Sequence, residues 1–200
     1  MKGVEPSEAG WFTRLIYRLV QHKMGKLTGA RRLVEPIKVM GHHPGLLWAM
    51  GQMEMGQEAA KSVDVGLKSL ASVKVATLVG CHFCIDIGTA IATRQGLTPE
   101  KVADLDDFEA SPHFSRVEKL VLRYAVAMSQ THVEIPEELT RDLQREFSPR
   151  QLVELTSSIA WENYRARFNQ SFGLTAEGFA AGMGCPLPSP ARPLATGHAS

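Results

Sequence analysis

Hydrophobic positions recur at helical spacing through most of the chain, and no stretch alternates for a useful length at the period of a half-buried strand. Near the start, Trp11, Leu15 and Leu19 share a face with Phe12, Ile16 and Val20, while Arg14, Arg18 and Lys23 fall towards the other side. That pattern predicts an amphipathic helix over about residues 11–24, its apolar face packed on its own domain or on a partner subunit. Gly25 and Gly29 lead into a looser basic connection through Arg31 and Arg32. Pro44 suits the first position of a helix that carries Leu46, Leu47, Met50 and Met53. The adjacent His42 and His43 would point apart on a regular element, so a loop or cap role is expected for them.

From Gly66 to Val79 the residues are apolar nearly all round, with Lys68 and Lys74 the strongly polar exceptions, so this helix is expected to be central and buried. Gly80 interrupts it. A further helical pattern runs through Ile85, Ile87, Ala90, Ile91 and Ala92 and closes at Gly96. Thr98-Pro99, Ser115 with Glu118, and Ser148-Pro149 with Gln151 mark three later helix starts. Pro136 opens a shorter helix, and Leu152, Leu155, Ile159 and Phe172 belong to a long last one that Gly173 ends. The fold expected is all-α, with about seven or eight helices in one domain over residues 1–181. Residues 182–200, rich in Pro, Gly, Ala and Ser, are expected to form a flexible tail.

Composition narrows the partners. The chain has 200 residues, and its net charge of +1 comes from interspersed acids and bases, so nothing global points to nucleic acid or a polyanion. The apolar run from Trp11 to Val20 is interrupted by Arg14 and Arg18 and is followed by no small-residue cleavage site, so no signal peptide is expected. No apolar run approaches the roughly 20 residues that span a bilayer, so no membrane span is expected either. Three cysteines, a close pair and a singleton, do not make a secreted disulfide framework and fit a reducing cytoplasm.

The chemistry centres on Gly80-Cys81-His82-Phe83-Cys84-Ile85-Asp86-Ile87-Gly88. Thiols three residues apart can form a disulfide, share a metal, or act as nucleophile and resolving thiol. Structural zinc asks for four ligands, and the chain adds only the scattered His22, His42, His43, His113 and His132, so no metal and no other cofactor is expected. An inert buried pair is the plain alternative. If a helix starts at the pair, Cys84 lies in its first turn, where free N–H groups and the helix dipole stabilise a thiolate.

The run Leu70 to Gly88, followed by Ala90, Ala92 and Gly96-Leu97-Thr98, resembles the core of the alkylhydroperoxidase D-like / carboxymuconolactone decarboxylase family. Leu152 to Thr156 and Ile159 to Asn169 are similar to that family's closing helix. The resemblance implies an AhpD-like helical fold, a homo-oligomer, and thiol peroxidase or disulfide reductase activity. It also implies Cys84 as the peroxidatic thiol, with Cys81 protonating the leaving group and resolving the intermediate. A hydroperoxide or small disulfide would be the substrate and an external dithiol the reductant. The family's peroxidase pattern has a glutamate twelve residues before the first cysteine and a histidine four after the second, where this chain has Ser69 and Gly88. His82, Asp86, Glu54 and Glu118, with Tyr164 or Arg167 from the last helix, are the candidates to replace that relay. Glu118 is equally explained by a capping box, Asp86 by the helix dipole, and Glu54, Asn163 and Arg167 by a buried polar cluster. A cofactor-free lyase or isomerase on a small carboxylated substrate, or a non-catalytic helical protein, are the rival readings.

Overall fold

A helix with no polar face must be covered on all sides, and α4 (Val65–Val79) is that helix. In a computed structural model describing residues 1–29 and 31–181, it lies against α5 (His82–Arg94), α7 (Arg116–Ser129) and α9 (Pro149–Ser171). Leu70, Ala71, Val73, Val75, Ala76 and Thr77 are all buried there. Around this centre pack α1 (Trp11–Thr28), α2 (Glu35–Met40), α3 (Pro44–Ala59), α6 (Pro99–Ala103) and α8 (Glu137–Glu146), which makes nine helices and no strand among the described residues. None of these helices is long and apolar enough to cross a membrane. The residues from 182 onward, including Cys185, lie outside the described residues.

The expected caps are formed. Ser115 with Glu118 and Ser148 with Gln151 close reciprocal capping boxes, Thr98 accepts from Lys101, and the His43 ring accepts from the Leu46 N–H at the start of α3. Three details differ from expectation. First, α1 runs through Gly25 and stops at Gly29, whose φ of 78° gives the left-handed turn that favours glycine. Second, its buried face carries Thr13, Ile16, Tyr17 and Met24, while Trp11, Leu15 and Leu19 stand exposed, because α3 and α5 cover only the other side of the helix. Third, the chain forms a short α2, whose six residues are too few to show a period.

Both lysines of α4 are absorbed by partners. Lys74 donates to the Leu105 carbonyl at 3.0 Å and faces Asp106 at 3.3 Å. Lys68 reaches the Ala60 carbonyl at 2.7 Å and the buried Glu154 of α9 at 2.5 Å, and Ser62 adds its N–H and hydroxyl to the same carboxylate. Burial alone would raise the Glu154 pKa, but Lys68 and Ser62 more than offset it and leave it at about 2. A pKa depressed from 4.5 contributes stability that is present above the unfolded value and is lost as pH falls towards 2. Glu154→Gln is therefore expected to cost about 2 kcal/mol at neutral pH, the loss fading as pH drops from about 5 to 2. Urea melts across that range measure it, and an equal loss at both ends would contradict it.

Candidate active site

The cysteine pair is placed by the end of α4. Gly80 takes φ 77°, its N–H returns to the Ala76 and Thr77 carbonyls, and the Cys81 N–H also bonds Ala76 at 3.0 Å. This left-handed closure turns the chain so that Cys81 becomes the N-cap of α5. The Cys81 sulfur accepts the Cys84 N–H at 3.2 Å, the position an oxygen takes in an ordinary cap. Cys81 and Cys84 are joined as a disulfide, with Cα atoms 5.3 Å apart. Cys81 is wholly buried and Cys84 is 5% exposed.

That small exposure faces a cavity of about 440 Å³ between α1, α2, α3, α4, α5 and α9, on whose wall Cys84 lies and Cys81 does not. Most of the wall is apolar, with Met24, Leu47, Met50, Phe83, Ile87 and Phe168 among its members. Leu19, Trp48 and Met55 are exposed members of the same lining and mark its open side. Asn169 donates its side-chain amide to the Cys84 sulfur at 3.3 Å. Ser69 and Gly88 also line the cavity; Ser69 is bonded to Gln95, and a Cβ on Gly88 would meet only Val73, at 3.6 Å. Where the peroxidase pattern has its relay, this chain has small side chains and open volume.

The charged part of the wall comes from α3 and α9. Glu54 accepts from Trp161 at 3.0 Å and from Arg165 at 3.0 and 3.3 Å, and Arg165 also pairs with Glu162. Burial raises the Glu162 pKa against the pull of the Arg165 guanidinium, while the nearby Glu54 charge pushes it the same way as burial. Burial opposes the charge on Arg165, and Glu162 and Glu54 more than compensate, so its proton is held more tightly than usual. Tyr164 stacks between Trp161 and Phe168, with centroids at 4.8 and 6.2 Å.

The anticipated relay candidates are dispersed. Glu54 lies on the cavity wall. His82 is exposed as the first residue of α5. Glu118 closes the α7 capping box and pairs with Lys101; burial works against its charge, but those partners hold its pKa low. Asp86 is fully buried and accepts the Glu177, Phe179 and Ala180 N–H groups at 2.8, 3.0 and 2.9 Å. It thereby pins a C-terminal strap over the pair, where Phe179 meets Phe83 edge-on and Arg32 stacks on Phe179 at 3.9 Å. The expected cluster of Glu54 with Asn163 and Arg167 is not formed. Asn163 and Arg167 bond each other and Ser129 on another face of α9, because only residues three, four or seven apart share a face.

Glu162, Arg165 and Asn169 were not among the expected site residues, yet two of them have a signal in the chain. Glu162 and Asn169 fall on the same α9 stripe as Leu155, Ile159 and Ala166, all buried, and polar groups on a buried stripe require partners.

The Carboxymuconolactone decarboxylase family profile matches residues 44–127, from α3 to near the end of α7. The uncharacterized protein YnjA of Escherichia coli (strain K12) is 32% identical over 148 residues, which cover 73% of this chain and 81% of that protein. The chain belongs to the carboxymuconolactone decarboxylase family. Solved structures extend the match to the whole fold. The debrominase Bmp8, as a cysteine-to-alanine variant in complex with 2,3,4-tribromopyrrole, superposes with a TM-score of 0.76 at 24% identity, covering 89% of this chain and 91% of that one. An alkylhydroperoxidase AhpD core from Ralstonia eutropha JMP134, an uncharacterized peroxidase-related protein, gives a TM-score of 0.75 at 14% identity over 90% and 93% of the two chains. At these identities the likeness is one of fold.

The strap of this family member offers a direct check. Asp86→Ala removes the acceptor of three N–H groups, each worth about 1–3 kcal/mol when left buried and unpaired. Hydrogen exchange at Glu177, Phe179 and Ala180 is expected to quicken by at least about tenfold, with α4 and α9 unchanged. Unaltered protection of those amides would show that the strap is held by its other contacts.

Proposed function

We propose that the chain is a dithiol peroxidase for organic hydroperoxides, with Cys84 as the attacking sulfur and Cys81 as the resolving one. One observation carries this reading: of the bonded pair, Cys84 alone lines the apolar cavity, while Cys81 sits behind it at the α5 N-cap. In the reduced protein the Cys84 thiolate attacks the terminal peroxide oxygen. The S–O bond forms, the O–O bond breaks, and the alkoxide takes the Cys81 proton to leave as an alcohol. The Cys81 thiolate then attacks the sulfenic sulfur, so that the S–S bond forms and hydroxide departs, taking back from solvent the proton that Cys84 released on ionising and leaving as water. An external dithiol supplies two electrons and two protons to restore the thiols.

The Asn169 amide supports the developing charge on Cys84. Glu54 contributes through Arg165 to the charged end of the cavity, while Asp86 and Glu118 have structural partners. Apolar walls favour a bulky hydroperoxide over hydrogen peroxide. A pulse of cumene hydroperoxide on the reduced protein is expected to remove two hydrogens from its intact mass. Cys84→Ser abolishes this loss, and Cys81→Ser stalls at a sulfenic acid that a 1,3-dione traps. Unchanged mass in the native protein sinks the proposal.

A second reading is favoured by the aromatic wall of Tyr164 and Phe168 and by the tribromopyrrole complex of the structural neighbour. The same dithiol could remove bromine from an electron-rich ring: the C–Br bond breaks, the carbon takes a proton, the Cys84 sulfur takes bromine, and Cys81 displaces bromide to form the disulfide. Bromide release from 2,3,4-tribromopyrrole, outpacing hydroperoxide consumption, would establish this reading instead.

A further inference from the structure

The cavity has two chemically different ends. At one end is the Cys84 sulfur, held by Asn169. At the other are Glu54, Arg165 and Glu162. Glu162 and Asn169 are seven residues apart on α9, which separates them by about 10 Å along the helix axis. Between those levels the wall is formed by Tyr164 and Phe168 of the same helix, with Met50 and Ile87 also in the lining.

The charges of the lining do not cancel. Glu54, Glu58 and Glu162 are three carboxylates against two cations, Lys23 and Arg165. Lys23 is engaged with Glu58 at 2.7 Å, and the two terminal nitrogens of Arg165 are taken by Glu54 and Glu162. Glu162 is 5% exposed; its Oε2 receives Arg165, and its Oε1 receives no donor among the described residues. Oε1 is open to the cavity, where an incoming N–H group can take the place of solvent, whereas a second carboxylate placed there meets repulsion. The Glu162 pKa is raised chiefly by burial and secondarily by the Glu54 charge, and an incoming cation would act against both.

We infer that the Glu162 end of the cavity is a recognition subsite for an ammonium or other nitrogen-borne hydrogen donor. The molecule taken at Cys84 is then an apolar body about 10 Å long that carries this group at the end remote from the reacting bond. The inference rests on the proposed function only in placing the reacting bond at Cys84; the subsite is defined by the cavity itself. By the same charge balance, the small carboxylated substrates of the lyase reading would bind at this end more weakly than their ammonium counterparts.

The test uses the full chain with its disulfide intact and two matched probes, 4-phenylbutylamine and 4-phenylbutanoate, titrated by calorimetry. The amine is expected to bind at least about tenfold more tightly, and Glu162→Gln is expected to bring the two to within about twofold while circular dichroism keeps its native form. If Glu162→Gln fails to fold, the native ratio decides together with Glu54→Gln, which is expected to reduce the preference in the same direction. Equal or tighter binding of the carboxylate, no binding of the amine, or an unchanged ratio in a folded variant overturns the inference. The Cys81→Ser/Cys84→Ser protein separates the two proposals: the amine preference persists there whichever reaction the thiols perform.

Discussion

The structure depends on the burial of α4. A fifteen-residue helix whose surface is apolar nearly all round gains nothing from solvent, so α5, α7 and α9 must close on it together. Its C-terminus cannot continue into water, and Gly80 supplies the left-handed residue that ends it inside the protein and reverses the chain. The thiol pair is therefore fixed by the helix before it and the helix after it at once. Rigid elements on both sides are what a nucleophilic sulfur needs if its neighbours are to act on it reproducibly.

Two ion clusters, each built on one buried carboxylate, show what burial asks of charge. Lys68, Glu154 and Ser62 form a closed set in which the carboxylate receives an ammonium, an N–H and a hydroxyl, and its pKa is held low. Such a set ties α9 to the start of α4 and has no capacity left for a ligand. Glu54, Arg165 and Glu162 form an open set in which two carboxylates share one guanidinium on the wall of a cavity, and burial drives one of them the other way. The first arrangement suits a scaffold and the second suits recognition.

Around the sulfurs the family frame is kept, but its furniture is rearranged. Ser69 and Gly88 turn the expected relay positions into cavity wall, and polar groups reach the cavity from α3 and α9 instead. Asp86, two residues beyond Cys84, holds the C-terminal strap, so Phe179 packs on Phe83 and Arg32 stacks on Phe179 beside the thiol pair. Of the pair, Cys84 faces the cavity, whose lining includes the exposed Trp48.

Local signals in the chain were enough for the helical class, the central buried helix, the capped starts at Ser115 and Ser148 and the thiol pair at a helix junction. Each of these is local: a period of 3.6, a side chain three residues from an N–H, or a glycine where the chain must turn. The chain marked the candidate residues only as types. Whether Glu54 finds Arg165 or Arg167 depends on which face of α9 meets α3, a rotation of two residues that no local signal specifies. The exposure of Trp11 and Leu19, the capture of Asp86 by backbone N–H groups ninety residues away, and the emptiness beside Gly88 were likewise decided by tertiary packing. In each case the energy lies in a contact between segments distant in the chain, and such contacts exist only once the helices have docked.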